Sequence, residues 1–328
     1  MPANPPAPTD LAANLSDDLP QTDSTTVLEW PTLLMMVATY LIWGLATWGW
    51  AYSPTMSLLI TTLAITQFSS LQHEVLHGHP FANRHLNEAL VFPALTLVVP
   101  FNRFRDLHLA HHYDPNLTDP YDDPEANYMD PAVWHAMSAP VKLLYRMNNT
   151  LMGRILFGPG IAVYSLVRMD VALIAKGDRA VLLAWVLNTI GVGLVLAWLL
   201  AFTTMPLWAY AIAAYAGFGL LKIRTYLEHR AHDQFRARSV VVEDKGLLAL
   251  LFLNNNFHVV HHMHPKAAWY RLPGLYAARR DHYLRRNDAY VYRSYAEIFR
   301  LFLFRAKDPV PHPLWVAPPE ARDHRGSV

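Results

Sequence analysis

Three histidine clusters carry the chemistry of this chain: His73-Glu-Val-Leu-His77, His108-Leu-Ala-His111-His112 and His258-Val-Val-His261-His262. The second and third share one spacing, HxxHH, at distant points of the chain. On a helix, positions three and four apart lie on one face, roughly 5–6 Å between Cβ atoms. Each cluster can therefore aim its imidazoles at a common point. The clusters hold eight of the chain's 17 histidines. A tetrahedral zinc takes about four protein ligands, so eight ligands imply at least two metal ions. Imidazole suits iron, zinc, copper and nickel alike, so the residues argue for two metals without naming the element.

The elements that position these clusters must suit a membrane. Of 328 residues, 53% are hydrophobic and only 16% charged, against about 25% charged in soluble domains. The net charge of +1 excludes a nucleic-acid surface. The absence of cysteine excludes disulfides, thiolate–zinc sites and iron–sulfur ligation. Electrons for any redox step must come from another protein. Residues 1–29 are rich in Pro, Asp, Ser and Thr and carry no Lys or Arg. They lack the basic start and short apolar core of a signal peptide and are expected to form a disordered tail, ahead of a single domain over 30–328.

Residues 31–72 contain no charged residue and no histidine, and break at Ala51-Tyr-Ser-Pro54. A second uncharged stretch, 180–221, breaks near Thr203-Thr-Met-Pro206. Each half is about the ~20 residues a bilayer requires. The expected fold is an all-α integral membrane protein with four transmembrane helices in two hairpins, at about 31–51, 54–72, 180–202 and 205–223. Neither outer turn carries Lys or Arg, so the positive-inside rule puts the termini and a helical cap, 73–179 and 224–328, in the cytosol. Residues 89–101 are too short to span. Residues 155–175 are broken by Gly158-Pro-Gly160 and carry Arg168 and Asp170. If one of these two stretches crossed, the clusters would lie on opposite membrane faces, so both are expected to be interfacial, as is 247–253. Trp43, Trp48, Trp50 and Trp208 fit an interfacial aromatic belt.

HExxH in the first cluster is also the zinc-protease signature, with the Glu as general base, but that reading leaves both HxxHH clusters unexplained. A metal transporter fits poorly as well, because the four spans hold no ionisable residue along an ion path. His85, His135, His282, His312 and His324 read as solvated or hydrogen-bonded side chains. Metal-bound imidazoles donate their other N–H to a carboxylate or carbonyl, and Glu74, Asp106, Asp114 and Glu228 are near enough in sequence to serve. Asp119, Asp122, Asp123 and Glu125 read as a Pro-rich surface loop. Asn254, Asn255 and Asn256 before the third cluster suggest a cap or turn. Arg103, Arg105, Arg224, Arg230, Lys266 and Arg271 flank the clusters, placed to meet an acidic electron carrier or an anionic head group, or simply obeying the positive-inside rule.

The clusters and their flanks resemble the membrane fatty acid desaturase family, which carries HxxxH or HxxxxH, then HxxHH, then HxxHH or QxxHH. His77-Gly-His79-Pro80 follows the first box, Leu117-Thr-Asp-Pro120 the second, and Asn255-Asn-Phe-His258-Val-Val-His-His262-Met-His-Pro265 encloses the third. The resemblance covers roughly 30–305. It implies a di-iron centre at the cytosolic membrane face and one further histidine after the last span, which maps onto His229 in Tyr226-Leu-Glu-His229, with His232 as a competitor. The implied ligands are His73, His77, His108, His111, His112, His229, His258, His261 and His262. His79, His232 and His264 are candidates to hold these from behind. Thr225 stands where some members carry an Asn that ligates through water.

By this resemblance the protein is an O2-dependent acyl-lipid desaturase with two iron ions and a fatty acyl substrate. Its electrons come from a ferredoxin or a cytochrome b5 with its reductase, and it resides in a bacterial inner membrane. Two neighbouring readings stay open: a membrane di-iron hydroxylase, and desaturation of a small amino-acid-like metabolite, since the third-box region also resembles the desaturase acting on dihydrorhizobitoxine.

Overall fold

The structure, a computed structural model, describes residues 28–113 and 116–316. The tail up to residue 27, Asp114 and His324 lie outside them. The long helices are α1 (Trp30–Trp48), α2 (Pro54–Leu76), α7 (Leu151–Ala175), α8 (Arg179–Phe202) and α9 (Leu207–Thr225). Shorter helices are α3 (Arg84–Leu90), α4 (Phe101–Tyr113), α5 (Pro131–Ala136), α6 (Ala139–Asn148), α10 (Leu247–Leu251), α11 (His258–Met263), α12 (Leu272–Ala278), α13 (Arg280–Arg286) and α14 (Tyr295–Phe302).

Prolines at the first positions of α1 and α2 start these helices where a missing N–H costs nothing. α2 packs against both α1 and α9. Among the described residues three helices are long and apolar enough to cross a membrane: Trp30–Ala51, Leu151–Ala175 and Arg179–Phe202. α1 and α8 turn large apolar side chains outward, including Leu34, Leu41, Leu45, Leu194 and Leu200, as lipid-facing helices do. α2 and α9, expected as the second half of each hairpin, do not reach that apolarity. α2 is an interior helix threaded with hydroxyls, and several find carbonyl acceptors: Thr62 donates to Leu58 O, Thr66 to Thr62 O and Gly217 O, and Ser70 to Leu251 O, while Thr61 Oγ1 is buried without a hydrogen-bond partner. Gly217 on α9 lets the helices close, since a Cβ there would sit 3.0 Å from Thr62 O.

The expectation of a break at Gly158-Pro-Gly160 is corrected, because α7 is one continuous helix. Pro159 has no N–H for the Ile155 carbonyl. That carbonyl turns toward Gly219 of α9, where a Cβ would approach it to 2.7 Å. The next carbonyl, of Leu156, accepts from the Tyr215 hydroxyl at 2.6 Å. Residues 91–100 form no helix and insert irregular backbone between the long helices. Tyr40 donates to Leu90 O, Tyr210 to Leu95 O and Asn188 to Leu97 O, which satisfies carbonyls that lipid would not. Trp43 is no belt residue, being buried and donating Nε1 to the Tyr210 hydroxyl at 3.1 Å.

The expected all-helical cap contains a small parallel sheet, β1 (Val241–Val242) with β2 (Val291–Tyr292). Two-residue strands leave no alternation for a sequence pattern to reveal. β1 stitches the third histidine cluster to the chain after α9, because Val242 N donates to Asn256 O and Val259 N to Val240 O.

Candidate metal centre

His73 ends α2 and His77 caps it. His108, His111 and His112 share one face of α4, and His258, His261 and His262 lie on α11. Leu253 and Asn254 hold φ of 49° and 54°, a left-handed turn that Asn tolerates better than most residues. The asparagine run is thus a turn: Asn256 Nδ2 donates to Val242 O, and Asn255 Oδ1 lies 3.4 Å from His258 Nδ1. His229 sits on no helix and is held by a backbone bridge to Ser239.

The nine histidines converge into two groups: His73, His77, His108, His112 and His261, and then His111, His229, His258 and His262. In each group one ligand atom per residue lies within 4.8 Å of all the others. The Nε2 atoms meet closely, at 2.9 Å for His111–His229, 3.0 Å for His229–His258, 3.1 Å for His258–His262, and 3.0 Å for both His108–His112 and His112–His261. Imidazole nitrogens bind metal at roughly 2.0–2.1 Å, so two on neighbouring corners of one coordination sphere sit roughly 3 Å apart. Nε2 of His73 and of His77 are buried with no hydrogen-bond partner, an arrangement that costs free energy unless a cation is bound.

What lies behind the rings fixes their tautomers. His111 Nδ1 is 2.7 Å from Asp123 Oδ1, and His108 Nδ1 is 2.8 Å from Glu125 Oε1. An ionised carboxylate only accepts, so Nδ1 carries the proton and the Nε2 lone pair faces the group. These two residues correct the surface-loop reading: the loop folds back, with Thr118 N donating to Asp123 Oδ2 and Asp123 Oδ1 accepting from Glu125 N. No helical spacing links them to the second box, so only the HxxHH box itself and its need for acceptors could have drawn attention to them. Glu228 lies 3.7 Å from His258 Nδ1 and pairs with Arg224 at 2.9 Å. Asp106 pairs with Arg105 instead of a histidine.

Glu74 accepts from Trp269 N at 3.0 Å and lies 3.7 Å from His73 Nδ1. It sits behind its histidine, not at the metal face where a protease base must stand. Burial pushes its carboxyl up to about 7, against the opposing pull of His79 and the Trp269 N–H. His79 pairs with Glu29, His232 lies by Asp288, and His264 meets the Tyr283 hydroxyl. None of the three backs a ligand of either group. Arg103 is buried and ion-paired to Asp170 of α7 at 2.8 Å.

Burial, then the neighbouring imidazoles, holds His73, His77, His229, His258, His261 and His262 well below the usual histidine range. The same causes bring His112 down to about 3. Burial pushes His111 down too, but Glu125 and Asp123 outweigh it and raise it to about 9. Neutral imidazoles are the ligand form, so most of the set needs no deprotonation to receive metal.

The fatty acid desaturase family model matches residues 48–294, most of the chain and all nine histidines. The chain belongs to the fatty acid desaturase family. A beta-carotene ketolase of Paracoccus sp. is 27% identical over 225 residues, 65% of this chain and 75% of the ketolase. Desaturases and ketolases are oxygen-dependent oxidoreductases, and the family's di-metal centres agree with the two histidine groups found here. Thr225 closes α9 one turn before His229, where an Asn ligand is absent.

Proposed function

We propose that this desaturase-family protein is a membrane oxidoreductase that uses O2 and two irons to place a double bond in a fatty acyl chain. The observation that carries the reading is the convergence of nine histidines into two groups whose ligand atoms lie within 4.8 Å of one another, in a chain with three helices long and apolar enough to cross a membrane. His73, His77, His108, His112 and His261 would hold one iron, and His111, His229, His258 and His262 the other. The bound pair supplies an oxidant strong enough for an unactivated C–H bond, which acid–base chemistry cannot attack. The balance is a –CH2–CH2– unit, O2, two electrons and two protons giving –CH=CH– and two waters. With no cysteine and no HPGG haem signature in the sequence, the electrons are assigned to an external carrier, a ferredoxin or cytochrome b5 system. The chain's own residues orient and insulate. Asp123 and Glu125 keep two imidazoles in the ligating tautomer, and the burial of His73, His108, His111, His229, His258 and His261 limits water at the centre.

The site is assigned to the cytosolic face of an inner membrane. Spans α1–α2 and α8–α9 return both outer turns to the far side. α7 supports this when taken as lying along the interface. Its start packs at Gly219 and Lys222, the site end of α9, and Asp170 near its other end pairs with Arg103 of α4, the helix of the second box.

A second reading is oxygen insertion, giving a hydroxyl or ketone, and the ketolase relative favours it. Expression in a host without desaturases, with mass spectrometry of lipids and small metabolites, separates the two. A new double bond that disappears in His111→Ala supports desaturation. An oxygenated lipid supports the second reading, and an unsaturated small molecule with unchanged lipids removes the acyl substrate from the proposal.

A further inference from the structure

The segment after α14 crosses back over the metal centre. Lys307 is nearly buried, and its Nζ donates to the carbonyl of His229 at 2.6 Å. Beside it, Asp308 accepts from the Tyr128 hydroxyl, and its carbonyl accepts from Asn149 Nδ2. Met129 N donates to Val310 O, and His312 N returns a bond to Met129 O. His312 Nε2 meets Thr118 Oγ1 at 3.1 Å, and Trp315 Nε1 donates to Asp119 Oδ2 at 2.8 Å with its ring against Tyr121. Thr118 and Asp119 begin the loop that carries Asp123 and Glu125. Residues 307–315 lie past the end of the family match at residue 294.

Two fragile parts of the centre thus share one support. His229 sits on no helix, whereas the three boxes are carried by α2, α4 and α11, and Lys307 fixes its carbonyl. The loop that backs His111 and His108 is irregular backbone, and His312 and Trp315 anchor its first residues. We propose that residues 307–315 are a positioning strap for the metal centre, acting chiefly on the group of His111, His229, His258 and His262, with Lys307 as its principal residue. This rests on the reading of His229 as a metal ligand.

Ferrous iron titrated anaerobically into the metal-stripped full chain in detergent tests it. The unsubstituted protein should bind two irons. Lys307→Met should weaken one of the two by about 10-fold, the lower end of what partners behind a ligand usually contribute, and change the iron spectrum, while Lys307→Arg restores both. His229→Ala separates the two layers. If it leaves two tight irons, the ligand reading falls and the strap with it; if it weakens one iron while Lys307→Met weakens none, the strap alone is overturned. Should Lys307→Met not fold, hydrogen exchange on the unsubstituted protein decides, because coupling is reciprocal. Stripping iron should speed exchange over 307–315 and 116–125 but not over α1, and equal exchange in the strap with and without iron would overturn the proposal.

Discussion

His111 Nδ1 and Asp123 Oδ1 lie 2.7 Å apart, with both side chains almost completely buried. That bond gives His111 its own acceptor, while Glu125 bonds His108 and approaches His111 only to 4.0 Å. The two acids should therefore be separable. Asp123→Asn should weaken iron in the His111 group by about 10–100-fold, and Glu125→Gln should weaken the His108 group by a similar factor. Stepwise ferrous titration reads both, and identical weakening of the same iron by both variants would refute the assignment.

Elemental analysis of purified protein should give two metals per chain. Because metal binds the folded state, chelation should lower the thermal midpoint in detergent, and restored iron should recover it. His261→Ala should remove at least about 100-fold of the activity. A zinc protease built on His73 and His77 alone would hold one zinc and tolerate that change.

The absence of cysteine makes single-cysteine labelling clean. Tyr52→Cys, at an exposed position between α1 and α2, should label from outside intact spheroplasts. Asp281→Cys and Lys176→Cys should label only after permeabilisation. External labelling at 176 would mean that α7 crosses, and histidines on both sides of it could then share one site only if α8 crosses back and α9 does not cross.

Arg103 and Asp170 form a buried pair, and Asp170 also accepts from Trp185 Nε1. Asp170→Ala strands a buried guanidinium and should cost about 3–5 kcal/mol, seen as a lower midpoint in detergent. Replacing both, Arg103→Met with Asp170→Leu, should recover most of the loss. If the double variant is as unstable as the single, the pair does more than neutralise itself.

Eight of the nine candidate ligands were legible in the sequence, because a helix converts i, i+3 and i+4 spacing into a shared face without help from the rest of the fold; His229, on no helix, came only from the family resemblance. The sequence also determined the long apolar helices at 31–51 and 180–202, since lipid acts on composition directly. The continuity of α7 was hidden, because Pro159 is accommodated by another helix, where Gly219 leaves room for the Ile155 carbonyl and the Tyr215 hydroxyl bonds the next one. The roles of Asp123, Glu125 and Lys307 were hidden for a related reason. Each acts across a loop or a chain reversal, and no local period records which carbonyl or imidazole such a segment will meet. Eight histidines in three boxes, with His229 beyond them, pointed to two metal sites; how the nine divide into five and four, and what holds each ring from behind, only the tertiary packing decided.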